Sequence, residues 1–189
     1  MIRSLALALT LVLTEPALAS NTKREADGTH TLVHEVTVEA PSAQVWQAIS
    51  TAAGWKSWAV PAAWMVPADP EVMETSYDPA AAPGSAGTIR QRFVARVPGR
   101  ILAFRTIKAP AGFPDFDSYA RVTSLFELVP LGPRRTLVRL TGAGYPDSDA
   151  GRRLLGLFDR GNAATLDMLR QRFATGPIDW KERLKKPIK

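Results

Sequence analysis

TIRQRFVARVPGRILAFRTIKA, residues 88–109, reads as a β-hairpin. Thr88 to Val97 is rich in β-branched and aromatic residues, Pro98-Gly99 supplies a tight turn, and Arg100 to Ala109 returns as the partner. Two further strands are expected after it. Tyr119 to Val129 places Val122, Ser124, Phe126 and Leu128 on one face, Pro130 to Arg134 turns, and Arg135 to Ala143 is the last strand. A long amphipathic helix then opens at Asp147 to Asp149. Its stripe is Leu155, Phe158, Asn162, Thr165, Leu169 and Phe173, widened by Leu154, Leu166 and Met168, and Gly176-Pro177 stops it. Consecutive hairpins followed by one long helix predict an α+β fold: a curved antiparallel sheet gripping a C-terminal helix, with room for an apolar cavity between them.

The N-terminal half is less regular. Leu32 to Glu39 alternates, with Leu32, His34, Val36 and Val38 on one face. Pro41 stops that strand and Ser42 is a good N-cap for a short helix carrying Val45, Trp46 and Ile49. A second helical turn is expected over 51–58. Pro61, Pro67 and Pro70 make 59–70 a loop. Glu71 to Tyr77 reads as a strand, and Asp78 to Gly87 as a flexible turn.

Length and composition fit one domain. A chain near 189 residues buries about 70% of the surface its unfolded form exposes. Residues 1–19 read as a cleaved signal peptide: Arg3 is the positive start, Leu5 to Leu13 the apolar stretch, and Ala17-Leu18-Ala19 the small-x-small cleavage pattern. Residues 20–29 then form a flexible leader, 30–176 the domain and 177–189 a basic tail. The expected location is the periplasm or the exterior of a bacterium. Cysteine is absent, which removes disulfides, thiol nucleophiles and thiolate metal sites.

Several short stretches resemble the START-like superfamily, also called SRPBCC or birch-pollen-allergen-like. Ala40-Pro41-Ser42-Ala43-Gln44-Val45-Trp46 resembles its strand-to-helix signature, and Trp55-Lys56-Ser57-Trp58 the paired-tryptophan turn that follows. Val97-Pro98-Gly99-Arg100-Ile101-Leu102-Ala103-Phe104, with the strand end Gly142-Ala143-Gly144-Tyr145, resembles the branch related to the Hsp90 ATPase activator. The resemblance spans about residues 30–175. It implies a helix-grip fold with two short helices after the first strand. It does not imply one activity, because members include lipid carriers, hormone receptors, cyclases and co-chaperone domains. The co-chaperone activity is not carried over to an exported protein.

No catalytic motif emerges. His30 and His34 lie four residues apart on a strand, about 13 Å, so they do not share a metal; neither a metal nor a cofactor is expected. Gly84-Ser85-Ala86-Gly87 lacks the spacing of a serine-hydrolase elbow. Gly142-Ala143-Gly144 is followed by Asp147 where a dinucleotide loop has glycine. Asp115 and Asp117 read as a solvated loop. Arg90, Arg92 and Arg96 share one expected strand face, and with the net charge of +6 they can attract an anionic lipid or ligand. The tail cations Lys181, Arg183, Lys185, Lys186 and Lys189 suit weak contact with an anionic membrane. Nucleic acid is excluded, because no aromatic residues are interleaved with the charges for stacking.

The aromatic residues are the best sign of a ligand. The expected lining combines Trp55, Trp58 and Trp64 with Tyr77, Phe93, Phe104, Phe113 and Phe126. Leu155, Phe158 and Asn162 face it from the helix, and His34, Gln91 and Ser124 are its polar members. His34 is either a polar group inside the cavity or a satisfied histidine. The loop at 112–118 and the segment 55–64 would form the mouth. The expected function is to bind a small apolar or amphipathic molecule, lipid-like or aromatic. The alternatives are a cyclase- or hydrolase-like enzyme using polar cavity groups, or a ligand-free protein-interaction module.

Overall fold

The structure is a computed structural model and describes residues 19–185. The segment read as a signal peptide lies outside the described residues apart from Ala19. The chain runs β1 (Ala19–Arg24), β2 (His30–Val38), α1 (Ser42–Ser50), α2 (Ala52–Lys56), β3 (Ala62–Val66), β4 (Asp69–Ser76), β5 (Ile89–Val97), β6 (Ile101–Lys108), α3 (Phe116–Tyr119), β7 (Thr123–Gly132), β8 (Arg135–Tyr145), α4 (Asp149–Thr175) and α5 (Trp180–Leu184). The strands form one antiparallel sheet in the order β1-β2-β8-β7-β6-β5-β4-β3. This is the expected α+β helix-grip fold.

β2 follows the alternation of its sequence, burying Leu32, His34, Val36 and Val38. The row Leu32, Gly142, Ser124, Phe104, Phe93 crosses the inner face through β2, β8, β7, β6 and β5. α4 covers one side of that face, packing against β2 and β8. It buries Leu154, Leu166 and Leu169. Its N-cap is Ser148, whose side chain accepts from Gly151 N. Gly161 is exposed, and nothing lies within 4 Å of where its Cβ would stand. Neither a close helix–sheet contact nor tight packing therefore requires it. Gly161→Ala is expected to stabilise the protein by about 0.5–1 kcal/mol, read as a rise in thermal midpoint; an unchanged or lower midpoint would contradict this.

Six expectations about the backbone are corrected. The leader is not loose, since β1 pairs along β2 from Ala19↔Glu35 to Arg24↔His30. Residues 59–70 are not all loop, because β3 and the start of β4 lie within them. The turn at 78–87 is pinned by Glu74, whose Oε1 accepts from Gly84 N at 2.8 Å and from the Thr88 hydroxyl. The start of the basic tail docks on α2: Ile178 N donates to Ser57 O at 2.9 Å, and Trp180 Nε1 to Lys56 O at 2.6 Å. Ser42 is the first helical residue of α1 rather than its cap, which is Pro41. The strand expected to begin at Tyr119 begins at Thr123, after the short α3.

The arginine face is also rearranged. A bulge between Phe93 and Ala95 shifts the register of β5. Arg96 then pairs across from Leu102 and lies 4.0 Å over the Phe93 ring, on the inner side of the sheet. Carboxylates from β4 meet all three arginines: Glu74 for Arg90, Asp69 for Arg92 and Glu71 for Arg96. The patch read as an attractor of anions is thus matched charge by charge.

Candidate functional site

Among the described residues the interior divides into two apolar clusters. The larger contains Trp55, Trp58, Phe93, Phe104 and Phe126 with α1 and the end of α4. The smaller contains Leu32, Val122, Tyr145 and Leu154, with Phe113, Tyr119, Leu155 and Phe158 packed around it and only half buried. Polar inner-face side chains, among them His34, Ser124, Thr106 and Gln91, accompany these clusters.

The half-buried aromatics cluster together. Tyr119 stacks on Phe158 with centroids 4.5 Å apart, Phe113 lies 5.2 Å from Tyr119, and Tyr145 lies 6.2 Å from Phe158. Backbone chemistry makes room for them. A Cβ at Gly142 would stand 2.6 Å from the Tyr145 hydroxyl oxygen, so glycine at this inner position is what lets the Tyr145 ring lie across the sheet. Burial pushes the Tyr145 phenol well above its ordinary value, and Tyr119 adds to the effect. Burial raises Tyr119 too, against the pull of hydrogen bonds with Thr106 and Ser124. Both phenols therefore stay protonated near neutral pH.

The loop before α3 closes over this cluster. Arg153 on α4 grips Asp115 with two bonds, Nε to Oδ2 at 2.9 Å and Nη2 to Oδ1 at 2.7 Å. That pairing holds the Asp115 carboxyl below its ordinary range and fixes a positive φ of 52° at Asp115. A surface hollow of about 320 Å³ is lined by Asp115 to Ser118. A second groove of about 880 Å³ lies away from the inner face, between α1, α2 and the end of α4, with Gln44, Gln47, Arg134 and Arg172 among its walls.

His34 is the buried polar centre. It is 0% exposed. Its Nε2 lies 3.1 Å from Oδ1 of Asp159 on α4, and its Nδ1 is buried without a partner among the described residues. Gln91 shares the inner face with Met73 and Thr106 by register, and its Oε1 is likewise unpartnered.

The expected lining separates into three groups. Phe113, Leu155 and Phe158 come together around the smaller cluster; Ser124 and Gln91 are half-buried on the inner face, and Asn162 is half-buried one turn beyond Phe158. Phe93, Phe104 and Phe126 face inward as expected but are sealed in the larger core. Trp55 and Trp58 are not at a mouth: their indole nitrogens donate to Ile49 O at 2.5 Å and Ala48 O at 3.0 Å, clamping the end of α1 from inside the core. Trp64 lies across from Glu74 on the outer face. Tyr77 is 69% exposed just past β4, close enough to Tyr119 to act on it electrostatically, so it stands at the rim. Tyr119, Tyr145 and Asp159 were missed. Tyr119 and Tyr145 sit at element ends, where alternation gives no face, and Asp159 lies one residue off the apolar stripe of α4.

No curated protein matches the chain. Solved structures do. The protein MLL2253 from Mesorhizobium loti superposes with a TM-score of 0.58 at 21% identity, covering 78% of this chain and 99% of that one. The Aha1 dimer from Colwellia psychrerythraea gives 0.57 at 16% identity, covering 77% and 97%. The ZhuI aromatase/cyclase from Streptomyces sp. R1128 gives 0.54 at 19% identity, covering 76% and 93%. These likenesses show the START-like fold. A family model described as polyketide cyclase/dehydrase and lipid transport matches residues 29–174, the whole helix-grip unit, and the chain belongs to that family.

Proposed function

We propose that the protein binds a small apolar or amphipathic molecule between the sheet and α4, on the Phe113, Tyr119, Phe158 side of the interior. The observation that carries this reading is the half-burial of three clustered aromatics beside an inner face that α4 packs against chiefly along β2 and β8. Aromatics in a closed core are sealed, as Phe104 and Phe126 are here. Apolar contact is worth about 25 cal/mol per Å², so such a site binds without charge pairing. N-phenyl-1-naphthylamine, an uncharged fluorescent probe, is expected to bind, and Phe158→Ala to weaken it about tenfold. An unchanged dissociation constant in a folded Phe158→Ala variant would contradict the placement.

The His34–Asp159 pair favours a second reading, a cyclase-like enzyme in which a buried imidazole handles a proton. Turnover of a bound ligand that stops in a folded His34 variant would select it. We also propose that the domain works outside the cytoplasm, on the strength of the signal-like start of the sequence. Release by osmotic shock of a chain beginning at Ser20 is the expected result; retention of the full-length chain with cytoplasmic markers is the opposite one.

A further inference from the structure

We infer that the interior site takes a ligand bearing hydroxyl groups, a phenol or an alcohol, and that His34 is the residue that reads them. The inference rests on the binding role proposed above.

With the His34 ring neutral, both orphaned polar atoms of the inner face among the described residues are acceptors. Nε2 of His34 meets a carboxylate oxygen of Asp159 at 3.1 Å. An ionised carboxylate only accepts, so Nε2 carries the proton, and the other nitrogen of a neutral imidazole is then a bare lone pair. That nitrogen, Nδ1, is buried without a partner among the described residues, and so is Oε1 of Gln91. The remaining buried atom of this kind among the described residues, Nε of Arg90, is a donor on the outer face and lies 3.4 Å from Glu74. The interior is therefore short of donors. A buried acceptor left unmade costs stability, and a ligand hydroxyl restores the bond. A ligand carboxylate would bring a third acceptor and a charge into the same apolar space.

The approach to His34 is also written into α4. Asp159 is half exposed, with His34 directly beneath it. Gly156 and Gly161 flank it, and neither has an atom within 4 Å of its absent Cβ. No packing constraint calls for glycine at either place, and both weaken the helix above the imidazole. Local opening of this segment would give a ligand a route to the imidazole.

The test is calorimetric titration of the purified protein with naphthalene, 2-naphthol and 2-naphthoate. 2-Naphthol is expected to bind at least about tenfold more tightly than naphthalene, with 2-naphthoate the weakest. His34→Phe should remove most of the 2-naphthol advantage and leave naphthalene binding in place. Should that variant fail to fold, Asp159→Ala keeps the ring and releases its tautomer, and the advantage should fall several-fold. An advantage unchanged in both variants, or 2-naphthoate binding as tightly as 2-naphthol, would overturn the inference. Equal binding of naphthalene and 2-naphthol to the wild type would overturn it while leaving the binding role standing. No binding by any of the three would take both down together.

Discussion

Trp58→Ala is expected to lower the unfolding free energy by about 3–5 kcal/mol, the range for deleting a large buried aromatic. Trp58 is 0% exposed, its ring lies 5.6 Å from Trp55, and its indole N–H donates to Ala48 O at 3.0 Å. Removing it opens a cavity and orphans a carbonyl at the end of α1. The segment after α4 depends on the same place, because Ile178 and Trp180 donate to Ser57 O and Lys56 O. Urea unfolding measures the loss. A change under about 1 kcal/mol would mean that the paired tryptophans are not the anchor of α1 and α2.

Glu74→Gln should cost about 3 kcal/mol at neutral pH, in the range for breaking a buried charged pair on one side. The Glu74 side chain is 2% exposed. It accepts from Gly84 N and Thr88, and pairs with Arg90. Lys108 closes the network by donating to Ser85 O at 2.7 Å and Thr88 Oγ1 at 2.8 Å. Burial pushes the Glu74 carboxyl up, but the Thr88 and Gly84 bonds and the Arg90 and Lys108 charges outweigh it, and the carboxyl stays below its ordinary 4.5. A depressed folded value means that this stability is fully present above 4.5 and is lost as pH falls through the folded value. The wild type should therefore lose stability in that acid window more steeply than Glu74→Gln. Parallel pH profiles of the two proteins would contradict the role given to Glu74.

The parts of the fold legible in the sequence are those where burial is one-sided. β2 alternates because one face meets the core, and the stripe of α4 was readable for the same reason. Pro98-Gly99 announced the β5–β6 hairpin through turn chemistry. β1 escaped because an edge strand of Ser20, Asn21, Thr22, Lys23 and Arg24 carries no apolar period. β4 escaped in part because of Pro70. The register jumps there, from Met65↔Met73 to Val66↔Asp69, so proline sits in the irregularity, where no ladder N–H is needed. The bulge after Phe93 is invisible to periodicity and moved Arg96 to the opposite face.

The candidate site was half legible. Phe113, Leu155 and Phe158 come together from a loop and a helix stripe that the sequence places correctly. The tryptophans did not, because an aromatic at a helix–turn junction reads the same whether it seals a core or lines a mouth. What separates Trp58 from Phe158 is how completely the fold covers each ring, Trp58 being sealed and Phe158 half-buried, and that is set by packing between elements. His34 was found by its position on an apolar face. Its partner Asp159 was hidden among the polar residues of a half-exposed helix.

The interior beside Phe158 is proposed to hold a small molecule. Native mass spectrometry of the protein purified from its bacterial host, before and after extraction with organic solvent, decides whether it does. The expected result is a discrete added mass that extraction removes and that is reduced in Phe158→Ala. A bare protein mass before extraction, together with no binding of N-phenyl-1-naphthylamine, would contradict the claim.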